Sequence, residues 1–167
     1  VASLTDLVGA TSARTARCWS YLADALKQQG KTKESLQACQ KVQSIYESLC
    51  EGDSSNAHYA SLMTATSNVA TITLSIAIEA KQNAKQENTN IKEGGDRHGD
   101  HDAKNNAAVA KLMDESETLY RRVVEYEETM CEKMKRSPNE DDTISEEHHT
   151  QNHLLALNNL AQVLSER

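Results

Sequence analysis

The sequence contains no phenylalanine, one proline, six glycines and one tryptophan in 167 residues. A β-sandwich or barrel needs a Gly/Pro/Asn-rich corner every ~8 to 12 residues, and this chain has too few turn formers for that. Four cysteines, at positions 18, 39, 50 and 131, form no CxxC pair and no dense framework, which argues against a disulfide scaffold and for a reducing compartment, cytoplasmic or cytoskeletal. Basic residues are outnumbered, 18 Lys+Arg against 25 Asp+Glu, for a formal net charge of -7, so bulk charge gives no footprint for nucleic acid. The chain opens on Val and shows no basic-then-apolar leader, which reads as a piece of something longer. The longest stretch free of Asp, Glu, Lys and Arg, residues 54–78, is interrupted by Ser, Thr, Asn and His. A membrane span wants ~20 mostly apolar residues, so no membrane partner is expected. HExxH, GxSxG and GxxxxGK[ST] are all missing.

What is present is helical periodicity. Residues 13–29 place Ala16, Trp19, Leu22, Ala23 and Leu26 at i, i+3, i+4 spacing, and Gly30 supplies a left-handed stop. Thr32 offers an N-cap with Ser35 three residues on, opening a second helix whose stripe is Leu36, Cys39, Val42, Ile45, Tyr46 and Leu49. Residues 56–84 are ambiguous: Ile72, Leu74, Ile76 and Ile78 alternate as in a strand, whereas Leu62, Val69, Ala70, Thr73, Ile76 and Ala77 fit a buried helix. A lone strand would have no partner, so helix is the better reading. Residues 86–106, with Gly94, Gly95 and Gly99 among polar residues, suggest a flexible surface insertion. Helical spacing resumes over 107–135 through Met113, Tyr120, Val123 and Met130, and Pro138 with Glu140, Asp141 and Asp142 ends it. A last helix over 144–167 carries Leu154, Leu157, Leu160, Ala161 and Leu164 as its expected apolar stripe.

The segments repeat. Trp19-x-x-Leu22-Ala23-x-x-Leu26, followed by Ser35, Cys39 and Val42, resembles the tetratricopeptide (TPR) pattern, in which a small residue lets two helices approach and larger ones fill the gap beside it. Ser116, Tyr120 and Val123 repeat the second-helix spacing, and Leu157, Leu160, Ala161 and Leu164 the first. The run Leu154-Leu-Ala-Leu-Asn-Asn-Leu-Ala161 is similar to repeats of the kinesin light chain type, with Asn68-Val69-Ala70 as a degenerate counterpart. Leu26, Thr73 and Leu164 stand where that family favours Tyr, Cys39 where an aromatic is common, and Thr66 in the Trp place.

The resemblance implies an all-α fold of antiparallel helical hairpins stacked as a right-handed superhelix. Its parts are an N-terminal flank (1–12), a first hairpin (13–52), a second (56–135) with the insertion 86–106, and the first helix of an incomplete third repeat (144–167). It also implies a concave groove lined by Arg17, Tyr21 and Asp24, then Asn68 and Thr71, then Asn158, Asn159 and Gln162, holding an extended peptide or a subunit of a complex. Asn and Gln suit that role because each carries donors and an acceptor, although polar positions on amphipathic helices are also ordinary solvated surface. The expected role is a non-catalytic scaffold or adaptor. The alternative is a structural subunit of a large assembly, cytoskeletal or other, docking through its outer face or open end, with the last helix packed on a missing repeat or a neighbouring chain.

Other chemistries are weaker. His149 and His153 share a helix face and, with His148, Glu146 or Glu147, form a conceivable chelate; His98 and His101 stand in the polar insertion. Without a zinc signature these read as solvated histidines, and no metal or cofactor is expected. The cysteines fall at or near apolar stripes with no His or acid at informative spacing, so they read as core residues rather than nucleophiles. Arg121-Arg122 and Lys135-Arg136, flanked by Glu, read as solvated faces, and the acidic run 140–142 as a helix N-terminal bias.

Overall fold

The computed structural model describes residues 12–52, 58–91, 99–136 and 143–167. Among them it has five α-helices and no strand: α1 (Ala13–Gln28), α2 (Thr32–Gly52), α3 (Tyr59–Ile91), α4 (Gly99–Arg136) and α5 (Thr143–Glu166). The flank 1–11, His98 and the acidic run 140–142 lie outside the described residues.

Local chemistry sets the first hairpin. Ser12 caps α1, its hydroxyl accepting from the Thr15 amide at 3.2 Å. At the far end Gly30 adopts φ 73°, its N–H reaching the Lys27 carbonyl while Lys31 N–H reaches back to Leu26, both at 3.0 Å. That wrap closes the last turn of α1 and reverses the chain within a few residues. The expected Thr32 cap is corrected: Thr32 is already helical, and the Lys31 carbonyl accepts the first bond, from Ser35 N–H at 2.9 Å. The Ser35 hydroxyl points away from the helix start and donates to the Ala23 carbonyl across the hairpin at 2.8 Å.

The ambiguous segment is α3, a helix throughout, buried on most sides. Residues 59–86 contain an 18-residue window of mean hydropathy 1.3, long and apolar enough to cross a membrane, and 56% of that window is buried inside the protein. Its apolar surface goes to α2, α4 and α5, each of which it contacts. Ala65, Val69 and Ile72 face α2 at Cys39, Val42 and Ile45, while Ala70, Leu74 and Ala77 face Met113 and Tyr120 of α4 and Val163 of α5. Small residues at these crossings let the helix backbones approach closely.

Of the stretch 86–106 expected as a flexible insertion, residues 92–98 lie outside the described residues. It is helical over 86–91 and 99–106, so α3 and α4 run to 33 and 38 residues. Within it Gln86 of α3 and Lys104 and Asn106 of α4 are exposed.

The expected stripe of α5 is also corrected. Ala156 and Val163 are buried and Leu160 is partly buried, whereas Leu154, Leu157 and Leu164 are largely exposed. Leucine content alone does not choose the face; α5 turns His149, Ala156, Leu160 and Val163 to α4 and leaves the leucine-rich side outward. Its C-terminal end is held by charge: Lys81 of α3 bonds Glu166, and Arg167 pairs with Asp114 and, at 2.7 Å, with Glu117 of α4.

Candidate functional site

The hairpins repeat in three dimensions. Ser116 of α4 donates to the Ala70 carbonyl of α3 at 2.9 Å, as Ser35 of α2 does to Ala23 of α1. The next crossing repeats as well. Tyr46 of α2 meets the ring of His58, just ahead of α3, at a centroid distance of 6.2 Å. Glu127 of α4 meets His149 of α5 with Oε2 to Nδ1 at 2.5 Å. Glu127 stands as far beyond Ser116 as Tyr46 beyond Ser35, and His149 as far before Ala161 as His58 before Ala70. Ala23, Ala70 and Ala161 therefore occupy one position, and α1, α3 and α5 are successive copies of one element.

On that frame the expected groove residues fall into register. Tyr21, Asn68 and Asn159 share one position, as do Asp24, Thr71 and Gln162, and as do Ser20, Ser67 and Asn158. Asp24, Asn68 and Thr71 are brought together around a cleft of about 80 Å³ between α1 and α3. Ser20 and Lys27 complete its rim, and Ala23, Cys39, Ala65 and Ile72 its floor. Arg17 and Tyr21 are exposed on the same side of α1, with Tyr21 at 68%. Asn158, Asn159 and Gln162 do not line this cleft; Asn158 and Gln162 are exposed and Asn159 half-buried on α5. Thr71 is already committed, its hydroxyl donating to the Ser67 carbonyl at 2.8 Å and lying 2.7 Å from the Tyr120 hydroxyl. The cleft is well short of the ~300 to 1,000 Å³ of small-molecule pockets and suits one side chain of a larger partner.

Electrostatics at the floor are unreactive. Burial pushes the Cys39 thiol up, the Asp24 carboxylate adds to the shift, and Lys27 opposes it. A protonated thiol in apolar surroundings is a packing group, not a nucleophile. The other cysteines, Cys18, Cys50 and Cys131, are free thiols of intermediate burial.

A larger cleft of about 540 Å³ between α3 and α4 was not foreseen. Tyr59, Met63, Arg122, Tyr126, Met130 and Lys133 line it, with the Tyr59 and Tyr126 rings 5.4 Å apart. The sequence signal for it is the i, i+4 column Arg122, Tyr126, Met130. Arg121 and Arg122 are both exposed, as expected; Arg122 also reaches Glu47 of α2 at 3.5 Å, and Arg121 pairs within its own helix with Glu117 at 2.7 Å.

No group of three or more His, Cys, Asp or Glu side chains converges on a common point among the described residues. His149 is committed to Glu127, and His148 lies 3.3 Å from the Asn152 amide. No family model, curated protein or solved structure matches this chain.

Proposed function

We propose that this chain is a non-catalytic scaffold or adaptor for other proteins, built on TPR-like hairpins stacked in a right-handed superhelix. Its binding face is the groove formed by Arg17, Tyr21, Asp24, Asn68, Thr71, Asn158, Asn159 and Gln162. The carrying observation is that Asp24, Asn68 and Thr71 from two successive repeats meet around one cleft, with Asn159 and Gln162 at the matching positions of the third. An extended peptide fits this arrangement: amides bracket its backbone, the cleft takes a side chain, and Arg17 and Asp24 select charge. The raised Cys39 thiol and the small cleft favour binding over chemistry. Four free thiols fit a reducing, cytoplasmic or cytoskeletal setting.

Affinity capture with the intact chain beside an Asn68→Trp/Asn159→Trp variant tests the groove. Partners held by the intact chain and lost by a variant with the same helical content and cooperative melting support it. The same partners on both refute it. A second reading, a structural subunit docked through its open end, is favoured by the exposed Leu154, Leu157 and Leu164 of α5.

A further inference from the structure

Matching positions of the two hairpins are filled differently. Counted from the paired serines, Lys41, Ile45 and Leu49 of α2 match Arg122, Tyr126 and Met130 of α4. Counted from the paired alanines, Ser12 and Ala16 match Tyr59 and Met63. In the first hairpin Ala16 and Ile45 are buried in one apolar cluster, 0% and 6% exposed, with Leu49 packed against it. In the second the same positions line the cleft of about 540 Å³ between α3 and α4. Two tyrosines and two methionines stand where the twin hairpin has Ser, Ala, Ile and Leu, and they leave open a volume within the ~300 to 1,000 Å³ of small-molecule sites.

The wall of this cleft is aromatic and polarisable. The Tyr59 and Tyr126 rings stand 5.4 Å apart at an interplanar angle of 35°, in contact with each other, and offer one ring surface rather than a slot between two. The His149 ring meets Tyr126 edge-on at 6.2 Å and helps to hold it in place. Buried Met63 and half-buried Met130 add thioethers, which pack well against rings. Charge on the lining is net positive, Arg122 and Lys133 against Glu125. Arg122 and Lys133 lie eleven residues apart on α4, about 16 Å along its axis, and so mark the two ends of the cleft. The contact from Arg122 to Glu47 of α2 is long, at 3.5 Å, and both side chains are more than two-fifths exposed. A pair so open to water holds little energy, which leaves the guanidinium free to turn its fork to an oxyanion that accepts two N–H bonds.

We propose that the α3/α4 cleft binds a small aromatic monoanion, its ring system laid on Tyr59, Tyr126 and the two methionines and its carboxylate or sulfonate paired with Arg122. Lys133 attracts anions at the far end, and Glu125 favours one negative charge over several. The cleft shares no lining residue with the cleft between α1 and α3, so the site stands whether or not the groove binds a peptide.

The probe is anilinonaphthalene sulfonate, an aromatic monoanion whose fluorescence rises on leaving water. It is titrated into the intact chain, Arg122→Gln, Thr129→Trp and the groove variant Tyr21→Ala. Arg122 and Thr129 are exposed, so the first two substitutions spare the core; one removes the cation and the other fills the mouth of the cleft. One saturable site is expected on the intact chain and on Tyr21→Ala, weakened at least about tenfold by Arg122→Gln and by Thr129→Trp. Naphthalene carboxylate is expected to displace the probe at lower concentration than dodecanoate. The absence of a saturable site overturns the proposal, as does equal affinity for the intact chain and the two cleft variants, because the probe is then held elsewhere. Displacement by dodecanoate at the lower concentration also overturns it, since that gives the cleft to an aliphatic chain. Urea unfolding separates the native cleft from a loosened state: a ligand of the folded protein raises the midpoint, and the rise is expected to be smaller with Arg122→Gln. A midpoint lowered by the probe overturns the site.

Discussion

The Ser116 hydroxyl donates to the Ala70 carbonyl across the α3/α4 crossing at 2.9 Å, in the same register in which Ser35 meets Ala23 at 2.8 Å. Both serines are fully buried, so each bond replaces solvent that the hydroxyl has lost, and both fix how far one helix slides along the other. Ser35→Ala and Ser116→Ala are each expected to cost about 0.5–1.5 kcal/mol in urea unfolding. They sit in different hairpins and share no partner, so the double variant adds the two costs within about 0.5 kcal/mol. Ser→Val at either site costs more, because the extra methyl enters a close helix contact.

The Glu127–His149 pair tests the α4/α5 crossing. Glu127 is 5% exposed and its carboxylate lies 2.5 Å from the His149 ring, which also meets Tyr126 edge-on. Removing one partner strands the other in a desolvated site, so His149→Ala is expected to cost about 3–5 kcal/mol. Glu127→Leu/His149→Leu is expected to recover most of that loss, since an apolar pair has nothing left to satisfy. The first crossing already tolerates a less polar arrangement at this position, Tyr46 against His58. Chemical denaturation of Glu127→Leu, His149→Leu and the double closes the cycle, and a double variant as unstable as the sum of those singles contradicts the argument.

The helices and their hairpin order are legible from periodicity and from the scarcity of turn formers, because both act locally. The small residues at crossings are legible too: Ala23 and Ala70 stand where the spacing puts them. Long-range choices are not. Ser35 has the sequence context of a cap residue, and only the approach of α1 turns its hydroxyl to Ala23. The leucines of α5 outnumber its small residues, yet packing on α4 selects Ala156, Leu160 and Val163, because that face carries His149 to Glu127. Residues 86–91 and 99–106 have the composition of a loop and are helical all the same, because solvated helix surface needs no apolar residues. Of the groove, Asp24, Asn68 and Thr71 share a cleft, while the bond from Tyr120 to Thr71 joins residues far apart in the chain and leaves no local trace.

Thr73 offers a gain in stability. Its hydroxyl is fully buried and has no hydrogen-bond partner, while the same position in α1 is Leu26 and in α5 Leu164. Desolvating a hydroxyl without compensation is unfavourable, and valine has nearly the same shape without it. Thr73→Val is expected to raise stability by about 1 kcal/mol, read as a higher urea midpoint at unchanged slope. An unchanged or lowered midpoint shows that the hydroxyl is satisfied in solution.

Tyr120 sets an alkaline limit. Burial raises its pKa above the ordinary tyrosine value, and the hydrogen bond with Thr71 offsets only part of that shift. A folded-state pKa above the unfolded one means that the unfolded chain loses this proton first as pH rises. The stability that Tyr120 contributes by staying neutral is therefore complete below about pH 10, the unfolded value, and is lost as pH climbs toward the higher folded value. Tyr126, raised by burial and by neighbouring Glu127, acts in the same direction. Ultraviolet titration is expected to show Tyr120 ionising late, together with the loss of helical signal. Tyr120→Phe removes the late-ionising hydroxyl, so its stability is expected to fall less steeply above about pH 10 than that of the intact chain, even where its neutral-pH stability is lower for want of the Thr71 bond. Parallel stability curves for the two proteins across that range would place the alkaline limit on another group.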